Sequence, residues 1–302
     1  LRKQWRSAWP LAQLGQLRQF REQCQSLGLQ WAVGLSPFEI WQDWSINNKN
    51  QLLRKLDEIS QLNPDRLCIL FDDMRGDWPD IGAIQAEIAN EVYTRCQIPL
   101  AICPTYYSFD PILEQLFGPR PTAYWQQLGA QLHNDIGVLW TGDLVISPAL
   151  LPSGLQNIST ALGRKPVLWD NIIANDGRKS SPFLPLQSLF NRVNNAASDI
   201  AGHMINPMNQ PYLAQLVLLT ATSTQASETA LTAAILQLCS AQLAQQLQSD
   251  LPVFRDIGLQ QLDAVTRQRM IRIYDGFKEP CADDVLDWLN GHYRFDPACL
   301  TG

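Results

Sequence analysis

The sequence predicts an α/β fold of repeated parallel βα units, a (β/α)8 barrel of the TIM type. Two observations carry this. Short apolar runs alternate with helical stripes at a spacing of roughly thirty to forty residues, as successive βα units require. Chemically special residues gather just after the apolar runs, and the carboxyl ends of barrel strands are where active sites are built. Six strands can be counted in the chain, against the eight of a closed barrel. The expectation is therefore a barrel domain over 1–219 that is two strands short, followed by a C-terminal helical region over 220–302.

In chain order, Leu14, Leu17, Phe20, Cys24 and Leu27 recur at helical spacing, and Gly28 can close that helix. Trp31–Leu35 reads as the first strand, and Leu52, Leu53, Leu56, Ile59 and Leu62 mark the next helix. Leu67–Phe71 is the second strand. Asp80 can cap a helix bearing Ile81, Ile84, Ile88 and Val92. Pro99–Cys103 is the third strand. Asp110 and Pro111 suit an N-cap and first helical residue, with helical material continuing to about His133. Ile136–Leu139 is the fourth strand, and Ser153 caps a helix closed by Gly163. Pro166–Leu168 is the fifth strand. A helix is expected from about Leu186 to Ala197, and His203–Ile205 is the sixth strand. Beyond Leu219 the pattern is helical, with Leu231, Ala234, Ile235 and Leu238 sharing a face that reads as core.

Composition narrows the function. The chain has 302 residues, 46% of them hydrophobic and 17% charged, with a net charge of −6, as befits a globular protein with a large core. The acidic balance speaks against nucleic acid as a partner. No apolar stretch approaches the ~20 residues of a membrane span. Arg2, Lys3 and Arg6 lead into a polar stretch, unlike a signal peptide, and the first residue is not Met, so an upstream portion is expected. The odd number of cysteines, seven, with no C-x-x-C, suggests buried thiols in a reducing, cytoplasmic compartment. His133, His203 and His292 match no metal-ligand spacing, so neither metal nor cofactor is expected.

The strongest single signal is Leu67-Cys68-Ile69-Leu70-Phe71-Asp72-Asp73-Met74. An uninterrupted apolar run bounded by Pro64 and Asp65 reads as a strand buried on both faces, and it stops at two adjacent carboxylates. Such a pair is costly there, because each group loses hydration and the two repel. The alternative is two exposed aspartates capping the next helix. A second doublet, Asp283-Asp284, follows Pro280 and opens a helix near Trp288, where the helix dipole accounts for it. Tyr107, Trp140, Trp169, Asn171 and Asn206 also follow strands. Aromatic faces beside carboxylates and amides suit a carbohydrate, whose C–H faces stack on rings while its hydroxyls take hydrogen bonds.

Five motifs together resemble glycoside hydrolase family 84: Phe71-Asp72-Asp73, Cys103-Pro104-Thr105-Tyr106-Tyr107, Val138-Leu139-Trp140-Thr141-Gly142, Val167 through Asp176, and Asn206-Pro207. That family contains protein O-GlcNAcases and bacterial β-N-acetylglucosaminidases. The resemblance covers roughly Trp5 to Leu219. It implies retaining hydrolysis of terminal N-acetylglucosamine, in which the substrate's own acetamido oxygen attacks the anomeric carbon to give an oxazoline. Asp72 would orient the acetamido group and Asp73 would be the general acid/base. Tyr107 would lie near that group, Trp169 would wall the acetyl pocket, and Asn171 would touch the same region. Asp176 and Asn206 would bind sugar hydroxyls. The implied partner is an N-acetylglucosamine-bearing glycan or glycoprotein, with no nucleic acid or membrane; oligomeric state has no signal. The family's barrel opens with a strand, a Gly-rich loop and a second strand whose end bears a Lys; none has a match here, so the resemblance implies that the first two strands are missing from this chain. The alternative is a carbohydrate-binding pseudoenzyme with the same pocket in an incomplete barrel.

Overall fold

The computed structural model of the protein describes residues 2–293 and Phe295. Cys299 lies outside them. The chain divides into two compact units, Leu1–Asp143 with Pro152–Leu168 and Asp199–His203, and Leu144–Leu151 with Trp169–Ser198 and Met204–Gly302.

The six expected strands all form: β1 (Ala32–Leu35), β2 (Arg66–Leu70), β3 (Leu100–Cys103), β4 (Gly137–Trp140), β5 (Val167–Asp170) and β6 (Gly202–Ile205). They bond in chain order, and β1 through β5 are parallel neighbours. Register is set by apolar pairs such as Val33 with Leu67 and Ile69 with Ile102. β6 follows β5 through the Ala201 N–H to Pro166 C=O bond at one end and the Asn206 N–H to Asp170 C=O bond at the other. Burial alternates with the pleat. Leu67, Ile69 and Phe71 are fully buried, while Cys68 and Leu70 on the opposite face are only partly covered, so the expected two-faced burial holds on one face.

In the first unit the helices are α1 (Leu11–Ser26), α2 (Ile46–Ser60), α3 (Ile81–Cys96), α4 (Ile112–Phe117), α5 (Tyr124–Gln131) and α6 (Pro152–Leu162). Gly28, at φ 69, follows α1 in the left-handed conformation that ends it. Asp80 precedes α3 but makes no side-chain cap bond. The single helix expected from Pro111 to His133 is two, because Gly118-Pro119-Arg120-Pro121 intervenes and each proline removes an N–H donor. Pro152, whose missing N–H costs nothing in a first turn, opens α6, so Ser153 lies within the helix instead of capping it.

In the second unit, the helix expected over Leu186–Ala197 does not form. The segment is a run of turns that reaches only a short 3₁₀ turn at Ala197–Asp199. Asn191 takes φ 58, Ser188 accepts the Phe190 N–H on its own hydroxyl, and Arg192 is drawn away to Asp170. Local side-chain bonds and a long-range ion pair outweigh the apolar spacing. Its leucines still serve the core: Leu186 and Leu189 join Ile173, Leu213, Val217 and Trp288 in one cluster. The remaining helices are α7 (Pro211–Thr220), α8 (Ser227–Leu238), α9 (Ala241–Pro252), α10 (Ala264–Asp275) and α11 (Pro280–Asn290). Leu231, Ala234 and Ile235 are buried on α8, whereas Leu238 is exposed. Among the described residues no helix is long and apolar enough to cross a membrane.

Candidate active site

The two carboxylates of the first unit follow β2 directly. Along an extended strand, neighbouring side chains point to opposite faces. Asp73 breaks that rule by taking φ 54, a left-handed conformation that Asp tolerates at some cost. Both carboxylates then reach one guanidinium. Arg2 Nη2 lies 3.1 Å from Asp72 Oδ2 and Arg2 Nη1 lies 3.1 Å from Asp73 Oδ2. Nη1 also donates to the Asp72 backbone carbonyl at 3.1 Å. The side chains of Asp72 and Asp73 are 15% and 8% exposed. The other oxygen of Asp72, Oδ1, is buried with no hydrogen-bond partner. Burial pushes the Asp72 carboxyl above its ordinary value, and Arg2 opposes that only in part. Burial alone would lower the pKa of Arg2; the two carboxylates outweigh it and the net shift is upward.

A buried polar ring holds the strand ends in place. Thr105 Oγ1 donates to the Phe71 carbonyl at 2.7 Å, one residue before Asp72. Gln85 Nε2 donates to the same hydroxyl at 2.8 Å. Tyr124 donates to Gln85 Oε1, and its oxygen accepts the Thr105 N–H at 3.0 Å. Burial pushes the Tyr124 phenol far up, so it remains a donor. The ring thus ties the end of β2, which carries the acid pair, to the end of β3, which carries Tyr107. Tyr107 is buried, and its carbonyl accepts the Thr141 N–H at 3.0 Å. Trp140, grouped by sequence with the sugar-facing aromatics, is instead wholly buried and packs edge-on against Phe109 and Trp125. It is core.

The second unit builds a separate set of groups at the end of β5. Trp169 is half-buried. Asp170 is buried and held by both arms of Arg192, from Nε at 2.8 Å and from Nη2 at 2.9 Å. Arg192 also donates to the Ser147 and Pro148 carbonyls at 2.6 and 2.8 Å. Asn171 donates from Nδ2 to the Val145 carbonyl at 3.0 Å and accepts from Asn206 Nδ2 at 3.1 Å. These two partners fix which way its amide points. Asn175 is buried and donates to the Phe183 carbonyl at 3.0 Å and Gln210 Oε1 at 2.8 Å. Asp176, next to it, is exposed.

Of the residues expected from sequence, the structure joins Asp72 to Asp73 through Arg2, and Asn171 to Asn206 directly. Sequence reasoning missed Arg2, Gln85, Asn175 and Arg192. Asp170 and Asn175 lay within a quoted motif, which was a usable signal. Arg2 gave none, since its partners are seventy positions away. No group of three or more His, Cys, Asp or Glu able to hold a metal occurs among the described residues.

The profile of the β-N-acetylglucosaminidase family matches residues 1–254. The chain belongs to this family of glycoside hydrolases. Curated relatives include the protein O-GlcNAcases of Rattus norvegicus and Mus musculus. Each is 28% identical over 196 residues, which is 60% of this chain and 20% of the relative. The chain therefore spans about a fifth of the length of the curated relatives it matches. Among solved structures, it resembles a mutant of the Thermobaculum terrenum O-GlcNAc hydrolase with a TM-score of 0.75 and 22% identity, over 96% of this chain and 71% of the other. A protein described as CpGH84B gives 0.69 and 19%, over 90% and 49%. These structural likenesses concern the fold. The family membership agrees with the resemblance carried by the five motifs.

Proposed function

We propose that the protein is a retaining β-N-acetylglucosaminidase that releases terminal N-acetylglucosamine, O-GlcNAc on protein included, through an oxazoline formed by the substrate's acetamido group. The observation that carries this reading is the Asp72–Asp73 pair on one cation, with Asp72 Oδ1 buried and unpartnered. A buried carboxylate oxygen without a donor is costly, and a substrate amide N–H would satisfy it. In the proposed step Asp72, ionised, accepts that N–H and stabilises the positive charge that develops on the acetamido group. Asp73 gives its proton to the leaving oxygen, then takes one from the water that opens the oxazoline. Tyr107, Trp169, Asn171, Asp176 and Asn206 take the sugar-binding roles that the family resemblance assigns.

The same reading takes the six strands as part of an eight-stranded barrel over 1–219, followed in the chain by a helical region over 220–302. The six described cysteines are free thiols, which suits a cytoplasmic home. A pseudoenzyme would have no need of both carboxylates, and both are in place. The test compares Asp73→Asn with Asp72→Asn on aryl N-acetyl-β-glucosaminides. Asp73→Asn should lose about 10²–10⁴-fold on a poor leaving group and far less on an activated one, which needs little protonation. Asp72→Asn should lose about 10²–10³-fold on both, because the nucleophile weakens either way. Equal losses on both substrates in both variants would defeat this division of roles.

A further inference from the structure

We infer that Asn175, backed by Gln210, is a positioning residue for sugar binding: it pins the loop that carries Asp176 against the loop that carries Asn206. The inference rests on the proposed reading of Asp176 and Asn206 as groups that meet sugar hydroxyls. It goes beyond that reading by naming what holds them.

Asn175 immediately precedes Asp176 and is 1% exposed. Its Oδ1 accepts the Asn209 N–H at 2.8 Å. Its Nδ2 donates to Gln210 Oε1 at 2.8 Å and to the Phe183 carbonyl at 3.0 Å. An N–H on one side and two oxygens on the other leave the amide a single orientation. The bond to Phe183 closes the loop 175–183 at its base, and Asp176 is the first residue inside that loop. The loop is tightened from within, where the Gly177 N–H donates to Ser180 Oγ at 3.1 Å and the Ser181 N–H donates to the Gly177 carbonyl at 2.8 Å.

The loop after β6 is attached to the segment after β5 at two places. Asn206 donates its backbone N–H to the Asp170 carbonyl at 2.9 Å and its side-chain amide to Asn171 at 3.1 Å. Further on, Asn209 and Gln210 meet Asn175. One attachment would leave a pivot, whereas two fix both position and direction. Pro207, with its locked φ, and the buried Met208 stiffen the span between them. Asn206 and Asp176 each lie beside one end of this double attachment.

Gln210 shows what the arrangement costs. It is fully buried, and its Nε2 has no protein partner. An unpaired buried donor is unfavourable, and a methionine would fill the same space without one. Methionine would also lack the oxygen that Asn175 needs. The glutamine keeps Asn175 in place at some loss of stability.

The experiment compares the unsubstituted protein with Gln210→Met, Asn175→Leu, Asp176→Ala and the combination of the last two. In melting curves Gln210→Met should equal or exceed the unsubstituted protein, because the unpaired donor leaves together with the oxygen. Asn175→Leu should melt lower, since Asn209, Gln210 and Phe183 all lose a bond. On an aryl N-acetyl-β-glucosaminide, Gln210→Met should raise KM about three- to tenfold and Asn175→Leu about tenfold or more. In both, kcat should stay within about threefold, because sugar-hydroxyl contacts serve ground and transition states alike. Added to Asp176→Ala, Asn175→Leu should raise KM by no more than about threefold, since a residue that acts through another is not additive with it. Hydrogen exchange read by mass spectrometry should quicken over 176–183 and 206–210 in Asn175→Leu, and it needs no turnover. If the unsubstituted protein hydrolyses nothing, the functional reading fails, and the exchange still decides whether Asn175 holds the two loops. If Asn175→Leu does not fold, Gln210→Met carries the test: a raised KM at an unlowered melting temperature supports the inference, and an unmoved KM overturns it. Unchanged exchange, a fall in kcat with KM unmoved, or a fully additive effect in the combined variant would also overturn it.

Discussion

The chain contains two Asp-Asp doublets, and each lies in a different compact unit. Asp72–Asp73 follows a strand; Asp283–Asp284 lies in the first turns of α11. Each doublet has a well-buried member, Asp73 in one and Asp284 in the other. Their surroundings differ. Asp284 Oδ2 accepts the backbone N–H groups of Tyr212 at 2.7 Å and Leu213 at 2.9 Å, the first turn of α7. It caps a helix other than its own. The helix dipole expected for this doublet therefore acts, but it is the dipole of α7 that Asp284 meets. Asp72 has a guanidinium on one oxygen and nothing on the other. A carboxylate oxygen that takes two backbone donors in this way serves the structure. In the proposed function, the buried oxygen left over on Asp72 takes the substrate's N–H. Burial raises both Asp72 and Asp284 above the ordinary carboxylate value, so a raised pKa does not tell them apart.

The sharpest way to break this comparison is one substitution made in both places. Asp72→Asn should cost at least about 10²-fold in kcat/KM. Asp284→Asn, which keeps an acceptor oxygen for the α7 N–H groups, should stay within about twofold of the starting activity. Comparable losses at the two sites would show that the unpaired oxygen does not mark function.

A third buried carboxylate sharpens the contrast. Asp170 is saturated by the bidentate fork of Arg192, so it belongs with Asp284 as a structural group. Arg192 supplies two charge-assisted bonds to this buried carboxylate, so losing them is costly. Arg192→Met should destabilise the fold by about 3–5 kcal/mol, read by denaturant unfolding. It should also raise KM more than it lowers kcat, since Asp170 leads directly into Asn171. A loss below about 1 kcal/mol would mean that Asp170 has another way to be satisfied.

The smallest effect concerns the cap. Asp284→Ala removes the acceptor for two N–H groups and should cost about 1–2 kcal/mol, a melting shift of a few degrees. The pH dependence has a definite sign. A carboxyl whose folded pKa stands above its unfolded value holds its proton more tightly in the folded state. Its stabilising increment is full at acid pH and is lost as pH rises through the folded pKa. The stability of the unsubstituted protein relative to Asp284→Asn should therefore decline between about pH 4 and the raised value, and then level off. A difference that grows with pH would contradict the burial-driven shift.

The strands were legible because each is a short apolar run stopped by polar residues, and that pattern depends on neighbours in sequence alone. The acid pair was legible for the same reason, since Phe71-Asp72-Asp73 puts a burial cost on adjacent residues. What escaped was contact at a distance. Nothing near Arg2 announces Asp72, nothing near Tyr212 announces Asp284, and no local pattern links Gln85 to Thr105 and Tyr124. The missing helix over Leu186–Ala197 shows the same limit from the other side. Its apolar spacing was correct for burial, since Leu186, Leu189 and Ala196 are all covered. Asn191 took a left-handed φ, and Arg192 answered to Asp170 and the 147–148 carbonyls.

The left-handed turn at Asp73 has an evolutionary consequence. A side chain there carries a standing backbone cost of about 1–2 kcal/mol that glycine would not. A lineage or a laboratory screen rewarded only for heat resistance should drift towards glycine at this position and discard the proton donor. Persistence of aspartate at 73 would then be a record of selection for turnover, legible in the backbone angle before any substrate is known.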